Sequence, residues 1–388
     1  MNRRAFLRSA GATGLLLGAA GVWRLEDNHV LSPSSGPAYE PWADWQSSAR
    51  NPIEQMVRSA ILAANPHNSQ PWMFRVGDAS VDVYADTARR IGVIDPLLRE
   101  MHIGIGCAIE NLLLAAEHAG SSWHFDQAPQ ANSATLNPMV RIIFGPGGQG
   151  SSKLYAAIPS RHTNRGRYVA GREIDPRFLQ SLTNISNSDT EMRVFWFRKP
   201  EEMRTFGSLV VSGTEAIMGD AEQSASSAHW MRSNWNEIQR HRDGLTYDAQ
   251  VLDPAQRAMA KFLPALSNSQ SDQFWLKATR DSQVPSASGF GMIAVRDARN
   301  LHSLVEAGRL WQRIQLQATV NGIAMQPLNQ PLERRDREFQ LGLPQTYAKA
   351  LANLQQDDSW QAVMPFRLGY PERPALPSPR RSLGSVLL

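Results

Sequence analysis

Two short polar runs carry the side chains best suited to gripping a flat, charged ligand. The first is Asn65-Pro66-His67-Asn68-Ser69-Gln70-Pro71-Trp72. Its two prolines break regular structure. Between them lie amide, imidazole and hydroxyl groups able to hydrogen-bond a polar edge, with Trp72 beside them to pack. The second run, Arg161-His162-Thr163-Asn164-Arg165, combines two guanidiniums with an imidazole and a hydroxyl. Each also has a plainer reading: a turn whose Asn and Ser side chains bond their own backbone, and a solvated helix end. Trp72 and the single Cys107 read as core packing.

Composition narrows the classes. The chain has 388 residues, 42% of them hydrophobic and 20% charged, which is ordinary globular content with room for a sizeable core. Net charge is +4 with no dense Lys/Arg block among aromatics, so no nucleic acid is expected as a partner. One cysteine excludes an internal disulfide, and scattered histidines without paired spacing give no metal site. No Gly-x-Ser-x-Gly elbow is present, so nucleophilic catalysis is not expected.

Elements must position these runs. Residues 1–46 read as an export signal and tether. Asn2-Arg3-Arg4-Ala5-Phe6-Leu7-Arg8 precedes a mildly apolar run from Ala10 to Trp23, too short to span a bilayer comfortably. The paired arginines followed by Phe-Leu resemble a twin-arginine signal, which implies export of a folded protein by that machinery to the periplasm. If the signal is uncleaved it would leave a membrane tether, with no stable transmembrane domain. The Pro-rich stretch from Arg24 to Gln46 reads as a polar tether.

Beyond it, Ile53 to Ala63 has helical spacing, Met73 to Val76 and Ser80 to Ala85 alternate as strands, and Ile103 to Ala119 predicts a deeply buried helix. Val140 to Phe144 predicts a strand, and Gly145 to Ser152 a linker. The two expected halves are residues 47–150 and 151–388. The second is expected to hold helices at Leu154 to Ile158, Pro176 to Leu182, Glu201 to Met218 and Leu301 to Asn321. Its strands are expected at Met192 to Phe197, Gly291 to Val295 and Met364 to Leu368. A Ser-, Gln- and Trp-rich segment, about 220–288, breaks this rhythm and reads as a helical insertion. Gly106, Leu112, Leu114, Ala116 and Gly120 align without gaps on Gly308, Ile314, Leu316, Ala318 and Gly322, which suggests two related α+β units fused in one chain.

The combination resembles the FMN-dependent nitroreductase family. The Asn65–Trp72 loop looks like its flavin-contacting loop, Arg161–Arg165 its basic FMN motif, and Phe366-Arg367-Leu368-Gly369-Tyr370-Pro371 with Arg380-Arg381 its C-terminal strand and phosphate-facing arginines. Asp95-Pro96, Arg99-Glu100, the linker and the paired-arginine start are most similar to the Acg-like subgroup. The resemblance implies a nitroreductase-like α+β fold in which two halves imitate the family's homodimer, giving a monomer. The order differs from the ordinary family, where the basic motif precedes the loop. The split here implies one complete FMN site and an empty mirror site.

On this resemblance Arg161, Arg380 and Arg381 are expected to bind the FMN phosphate. Thr163 would add a hydroxyl, and His162 an aromatic wall or donor. Arg165 would sit at the N1–O2 edge, where a cation favours reduced flavin. Pro66, His67, Asn68 and Gln70 would line the flavin, with Asn68 and Gln70 bonding its pyrimidine edge. Gln326, Pro327, Leu328 and Asn329 would lie on the N5 side, without the glycine the family often has there. The implied activity is two-electron reduction of a quinone- or nitro-like small acceptor, with NAD(P)H as donor. If the insertion is a permanently closed lid, the alternative is an FMN-binding or FMN-sequestering protein. A third reading is an envelope interaction module without flavin.

Overall fold

The computed structural model describes residues 26, 29–47, 51–148, 150, 152–186 and 191–388. The paired-arginine run therefore lies outside the described residues, as do Gln149 and Ser151 of the expected linker.

The short helix α1 (Glu40–Ala43) belongs to a segment expected to be a tether. That expectation is corrected: Ala38, Tyr39 and Trp45 are buried, and Trp42 Nε1 donates to Ser378 O at 2.7 Å. Three aromatics within seven residues outweigh the polar composition around them. Helix α2 (Pro52–Ala60) starts where Asn51 Oδ1 accepts from Ile53 N at 2.8 Å, and it buries Ile53, Met56, Val57 and Ala60.

Strands β1 (Trp72–Val76) and β2 (Ser80–Asp86) follow, then helix α3 (Arg99–His118), β3 (Ser121–Asp126) and β4 (Leu136–Pro146). The strands form one antiparallel sheet in the order β1-β2-β4-β3. Two details differ from the expectations. β3 pairs along β4 although its side chains are largely exposed, which hides the apolar alternation that marks a strand. Gly145 and Pro146 belong to β4 rather than to a linker, because Ser121 and Ser122 pair with them.

Next come α4 (Lys153–Ala157), α5 (Pro176–Ser186), β5 (Met192–Phe197) and α6 (Pro200–Gly219). The insertion holds α7 (Ala221–Ala228), α8 (Trp235–His241), α9 (Pro254–Phe262) and α10 (Asn268–Ala278). Two short strands, β6 (Met231–Arg232) and β7 (Leu245–Thr246), pair in parallel within it. The chain then makes β8 (Gly289–Val295), α11 (Leu301–Val320), β9 (Ala324–Pro327), α12 (Gln330–Gln340), α13 (Thr346–Gln355) and β10 (Gln361–Gly369). Strands β5-β8-β10-β9 form the second antiparallel sheet. The architecture is α+β, and no helix among the described residues is long and apolar enough to cross a membrane.

Helices α3 and α11 cross at the centre of the main core. A Cβ on Gly106 would stand 2.0 Å from Val305 O, and one on Gly308 would stand 2.1 Å from Ile103 O. Both glycines are there because two backbones touch. A buried amide chain crosses the same contact: Asn111 Nδ2 donates to Ser59 O at 2.9 Å, and Gln312 Nε2 to Asn111 Oδ1 at 2.8 Å. Gln312 Oε1 accepts from Ala64 N at 3.2 Å, so the helix pair fixes the backbone where the polar loop begins.

Candidate functional site

The Asn65–Trp72 loop is backbone-strained. His67, Asn68 and Gln70 take φ of 47°, 56° and 53°, a left-handed conformation in which non-glycine residues are uncommon. Such strain persists only where the surroundings over-determine it, and here they do. Asn65 Oδ1 accepts from Gln70 N at 2.8 Å across the turn. Asn68 Nδ2 donates to Pro379 O at 2.8 Å, and Asn68 Oδ1 accepts from Arg380 Nη1. Gln70 Nε2 donates to Arg242 O and Gln70 Oε1 accepts from Arg381 N, both at 2.8 Å. The loop also lies on α3, where a Cβ at Gly104 would come within 2.9 Å of Pro66 Cδ.

Arg161 and Arg380 meet behind this loop. Both are buried, and each donates an Nη2 to Leu62 O, at 3.0 and 3.4 Å. Arg161 also donates to Gln315 Oε1 at 3.1 Å. No carboxylate among the described residues bridges either arginine, and both Nε atoms are buried without a partner. Burial lowers Arg161 to about 10, while burial and then the charge of Arg161 lower Arg380 well below the usual arginine value. His162 stands beside them, edge-on to Trp42 with ring centroids 4.6 Å apart. Burial first, then Arg161 and Arg380, hold its imidazole down at about 3. Trp42 covers the pair, 4.7 Å from the Arg380 guanidinium carbon. Two buried cations with orphaned donors and no counter-ion make a positively charged socket of the kind an anion would balance.

A cavity opens next to the socket. Its walls include Pro66, His67, Thr163, Arg165, Gln326, Pro327 and Asn329, together with Trp311 and Met364. Burial lowers Arg165 to about 10, and no carboxylate among the described residues forms an ion pair with it, so this part of the wall holds a cation without an ion-pair partner. Gln326 is aimed by Arg367, whose Nε donates to its Oε1 at 2.7 Å. Arg367 itself is fully buried and bonds Gln283 O at 2.8 Å and Gly166 O at 2.6 Å.

The insertion forms the remaining wall, with Met231, Tyr247, Phe274 and Trp275 among its contributions. His67 ties it to the loop, its Nε2 lying 3.1 Å from Ser227 Oγ in α7. Burial, and secondarily Arg165, hold the His67 imidazole at about 4, so it is neutral at ordinary pH.

The candidate residues thus separate into groups. Pro66, His67, Thr163, Arg165, Gln326, Pro327 and Asn329 share the cavity, while Arg161, His162 and Arg380 form the adjoining socket. Asn68 and Gln70 are corrected from ligand-facing to scaffold, because both ends of each amide are already bonded to protein. Arg381 is corrected likewise: its guanidinium donates to Gln70 O at 3.2 Å and Trp72 O at 3.3 Å, away from the socket. Leu328 is fully buried in the core behind the second sheet, packed among Leu332, Phe290 and their neighbours, and does not reach the cavity.

Glu100, Gln330 and Glu333 also line the cavity and were not candidates. Glu333 sits in the charge-rich run Leu332-Glu333-Arg334-Arg335-Asp336-Arg337-Glu338, a composition common on solvated faces. Yet α12 buries Glu333, Asp336 and Arg337. A sequence signal existed in Asn329-Gln330-Pro331, a helix start at the end of a buried segment. Among the described residues no group of His, Cys, Asp and Glu could hold a metal.

No family model matches the chain. Over 116 residues it is 25% identical to Rv3131 of Mycobacterium tuberculosis, a protein provisionally named an NAD(P)H nitroreductase. The match covers 30% of this chain and 34% of that one. A second mycobacterial protein with the same provisional description, acg, is 29% identical over 94 residues, covering 24% of this chain and 28% of its own length. The chain therefore spans about a third of the length of the curated relatives it matches. Among solved structures, a nitroreductase with bound FMN from Desulfitobacterium hafniense overlays at a TM-score of 0.35 and 14% identity, covering 60% of this chain and 95% of that one. That overlap is too loose to carry an argument.

Proposed function

We propose that the chain is an FMN-dependent oxidoreductase of nitroreductase type, built from two related halves that imitate a homodimer within a monomer, and exported folded to the periplasm by a twin-arginine signal. The observation that carries the reading is the socket: two buried guanidiniums, each with an orphaned Nε, beside a cavity whose wall holds a third unpaired guanidinium. A phosphate ester fits the first feature, and a flat ring that gains negative charge on reduction fits the second. The provisional names of the mycobacterial relatives support the same reading. When bound, FMN supplies hydride transfer between a nicotinamide and a small quinone- or nitro-like acceptor.

The chain's own residues have separable tasks. Arg161 and Arg380 hold the phosphate, with Thr163 at the edge of the cavity as an added hydroxyl donor. Arg165 keeps a positive charge in the cavity wall, which favours an electron-rich ligand. Trp311 and Met364 supply apolar wall and exclude water. Arg367 fixes the amide of Gln326.

One observation favours a second reading, that of an FMN holder: insertion side chains including Tyr247, Phe274 and Trp275 stand in the cavity wall and could deny a dinucleotide access. Stopped-flow mixing separates the two. Bleaching of the bound flavin by NADPH or NADH supports the oxidoreductase. Bleaching by dithionite but by neither nucleotide supports the holder. A purified chain that is colourless and takes up no FMN refutes both. The envelope export is tested separately, by fractionation with Arg3 and Arg4 replaced by lysine: continued export would refute the twin-arginine route.

A further inference from the structure

The cavity wall formed by the starts of α3 and α12 contains an unusual concentration of acid. Glu100 and Glu333 both line the cavity, near enough for the charge of each to act on the other. Two carboxylates have only acceptors, so a pair placed this close favours keeping a proton. Asn329 lies in the same wall. Arg99 stands behind, its Nε donating to Asp336 Oδ2 at 2.8 Å and its Nη2 to Glu100 Oε1 at 3.2 Å. Asp95 accepts the backbone N–H groups of Glu100 and Met101 at 3.2 and 3.0 Å, and Arg335 bonds Asp336 at 2.7 Å.

The charges facing one another are therefore the acids Asp95, Glu100, Glu333 and Asp336 against the cations Arg99 and Arg335. The acids are all buried. Full ionisation would leave excess negative charge in a low-dielectric wall, which such a site avoids by keeping protons. Burial first, then Glu100, raises Glu333 well above the ordinary carboxyl value. An independent feature points toward a ligand. Glu333 is 5% exposed, and its Oε2 has no partner; nor do Asn329 Oδ1 and Gln330 Oε1 on the same wall. A cluster structured only for stability would have satisfied these atoms.

We propose that Glu333, beside Glu100 in the cavity wall, is the proton donor to the acceptor reduced in this cavity. The assignment rests on the oxidoreductase reading. For a quinone, a hydride supplied by bound, anionic reduced flavin would bring two electrons and one proton to the acceptor. The Glu333 O–H bond would break to give the second proton. The quinone would leave as hydroquinone, and the Glu333 carboxylate would take a proton from solvent. Asn329 and Gln330 position the acceptor or the water that reloads the pair.

The test uses the full-length, FMN-loaded chain with Glu333→Gln, and Glu100→Gln as a second variant in case the first does not fold. Infrared spectra of wild type at neutral pH should contain protonated-carboxyl absorption that shifts in D2O, and Glu333→Gln should lose one component of it while that of Asp95, raised to about 7, remains. Unchanged absorption in Glu333→Gln would overturn the proposal, and this measurement can be repeated on the flavin-free chain. Flavin reduced by dithionite is then mixed with a benzoquinone. Glu333→Gln should slow reoxidation about 100-fold, the lower end for loss of a general acid, and should flatten its pH dependence while FMN affinity stays unchanged. Reoxidation at the wild-type rate would overturn the donor role. If the infrared component is present but wild-type reduced flavin reacts with no quinone, the oxidoreductase reading has failed, and the donor role with it.

Discussion

Gly106 on α3 and Gly308 on α11 make the same contact in opposite directions. Gly106 lies against the carbonyl of Val305, and Gly308 against the carbonyl of Ile103. The ungapped alignment that places Gly106 on Gly308 also places Ile103 on Val305, so each helix presents the same pair of positions to the other. That is the reciprocity of an isologous contact made inside one chain.

A methyl group at either glycine meets backbone rather than a movable side chain. Gly106→Ala and Gly308→Ala should each cost about 3 kcal/mol, the upper range for overpacking, despite the better helix propensity of alanine. Urea unfolding would show it, and a midpoint within error of wild type would contradict the close crossing.

Arg161→Ala and Arg380→Ala should each abolish FMN retention on a desalting column while relieving the mutual repulsion of the buried pair. Each variant should therefore keep or gain thermal stability in the absence of flavin and lose the stabilisation that added FMN gives. A variant that unfolds outright would instead make the pair structural. Retained flavin with unchanged affinity would remove the phosphate assignment.

Gln70→Ala strips partners from Arg242 O and Arg381 N. Leaving two half-buried backbone groups unpaired should cost about 1–3 kcal/mol, more than a surface amide in a turn would. The same substitution should loosen the left-handed loop, seen as faster amide exchange from Asn65 to Trp72.

Stability should depend on pH with two opposed limbs. His67 and His162 fall from an ordinary 6.5 to about 4 and about 3 in the fold. The unfolded chain therefore takes up protons first, and stability is lost as pH drops below 6.5, through about 4 for His67 and about 3 for His162. Asp95 behaves oppositely, raised by burial and then by Glu100 from 3.8 to about 7. Its contribution is whole below about 4 and is lost as pH rises to about 7. His67→Asn should flatten the acid limb, and Asp95→Asn the neutral one. Chemical denaturation across this range measures both, and a slope unchanged by either variant would refute the corresponding assignment.

Trp275 packs with Ile91, Ile94, Ile217 and Trp230 while lining the cavity. Trp275→Ala should speed FMN release about tenfold, equivalent to 1.4 kcal/mol of lost cover. An unchanged release rate would mean that the insertion does not gate the site.

The sequence disclosed the elements whose burial is one-sided or complete. The α3 helix, the α11 helix and the central strands were legible because apolar spacing marks them. β3 and α12 were not: exposed β3 lacks alternation, and the buried charges of α12 look like a solvent face until their partners across the fold are known. The same limit applied at the site. Residue types pointed to Arg161, Thr163 and Arg165, but whether Asn68, Gln70 and Arg381 face a ligand or each other depends on contacts more than 300 residues apart, such as the 311 between Arg381 and Gln70.

That separation has a consequence for how the molecule is made. Arg380 lies 312 residues downstream of Asn68, whose side chain it bonds. A ribosome that has completed α3 and both sheets has still not produced the group that closes the socket or the one that holds the loop in its strained shape. Assembly of the buried arginine pair is thus a late, whole-chain event. A secretion route that threads an extended polypeptide would carry the pieces across a membrane before any socket existed.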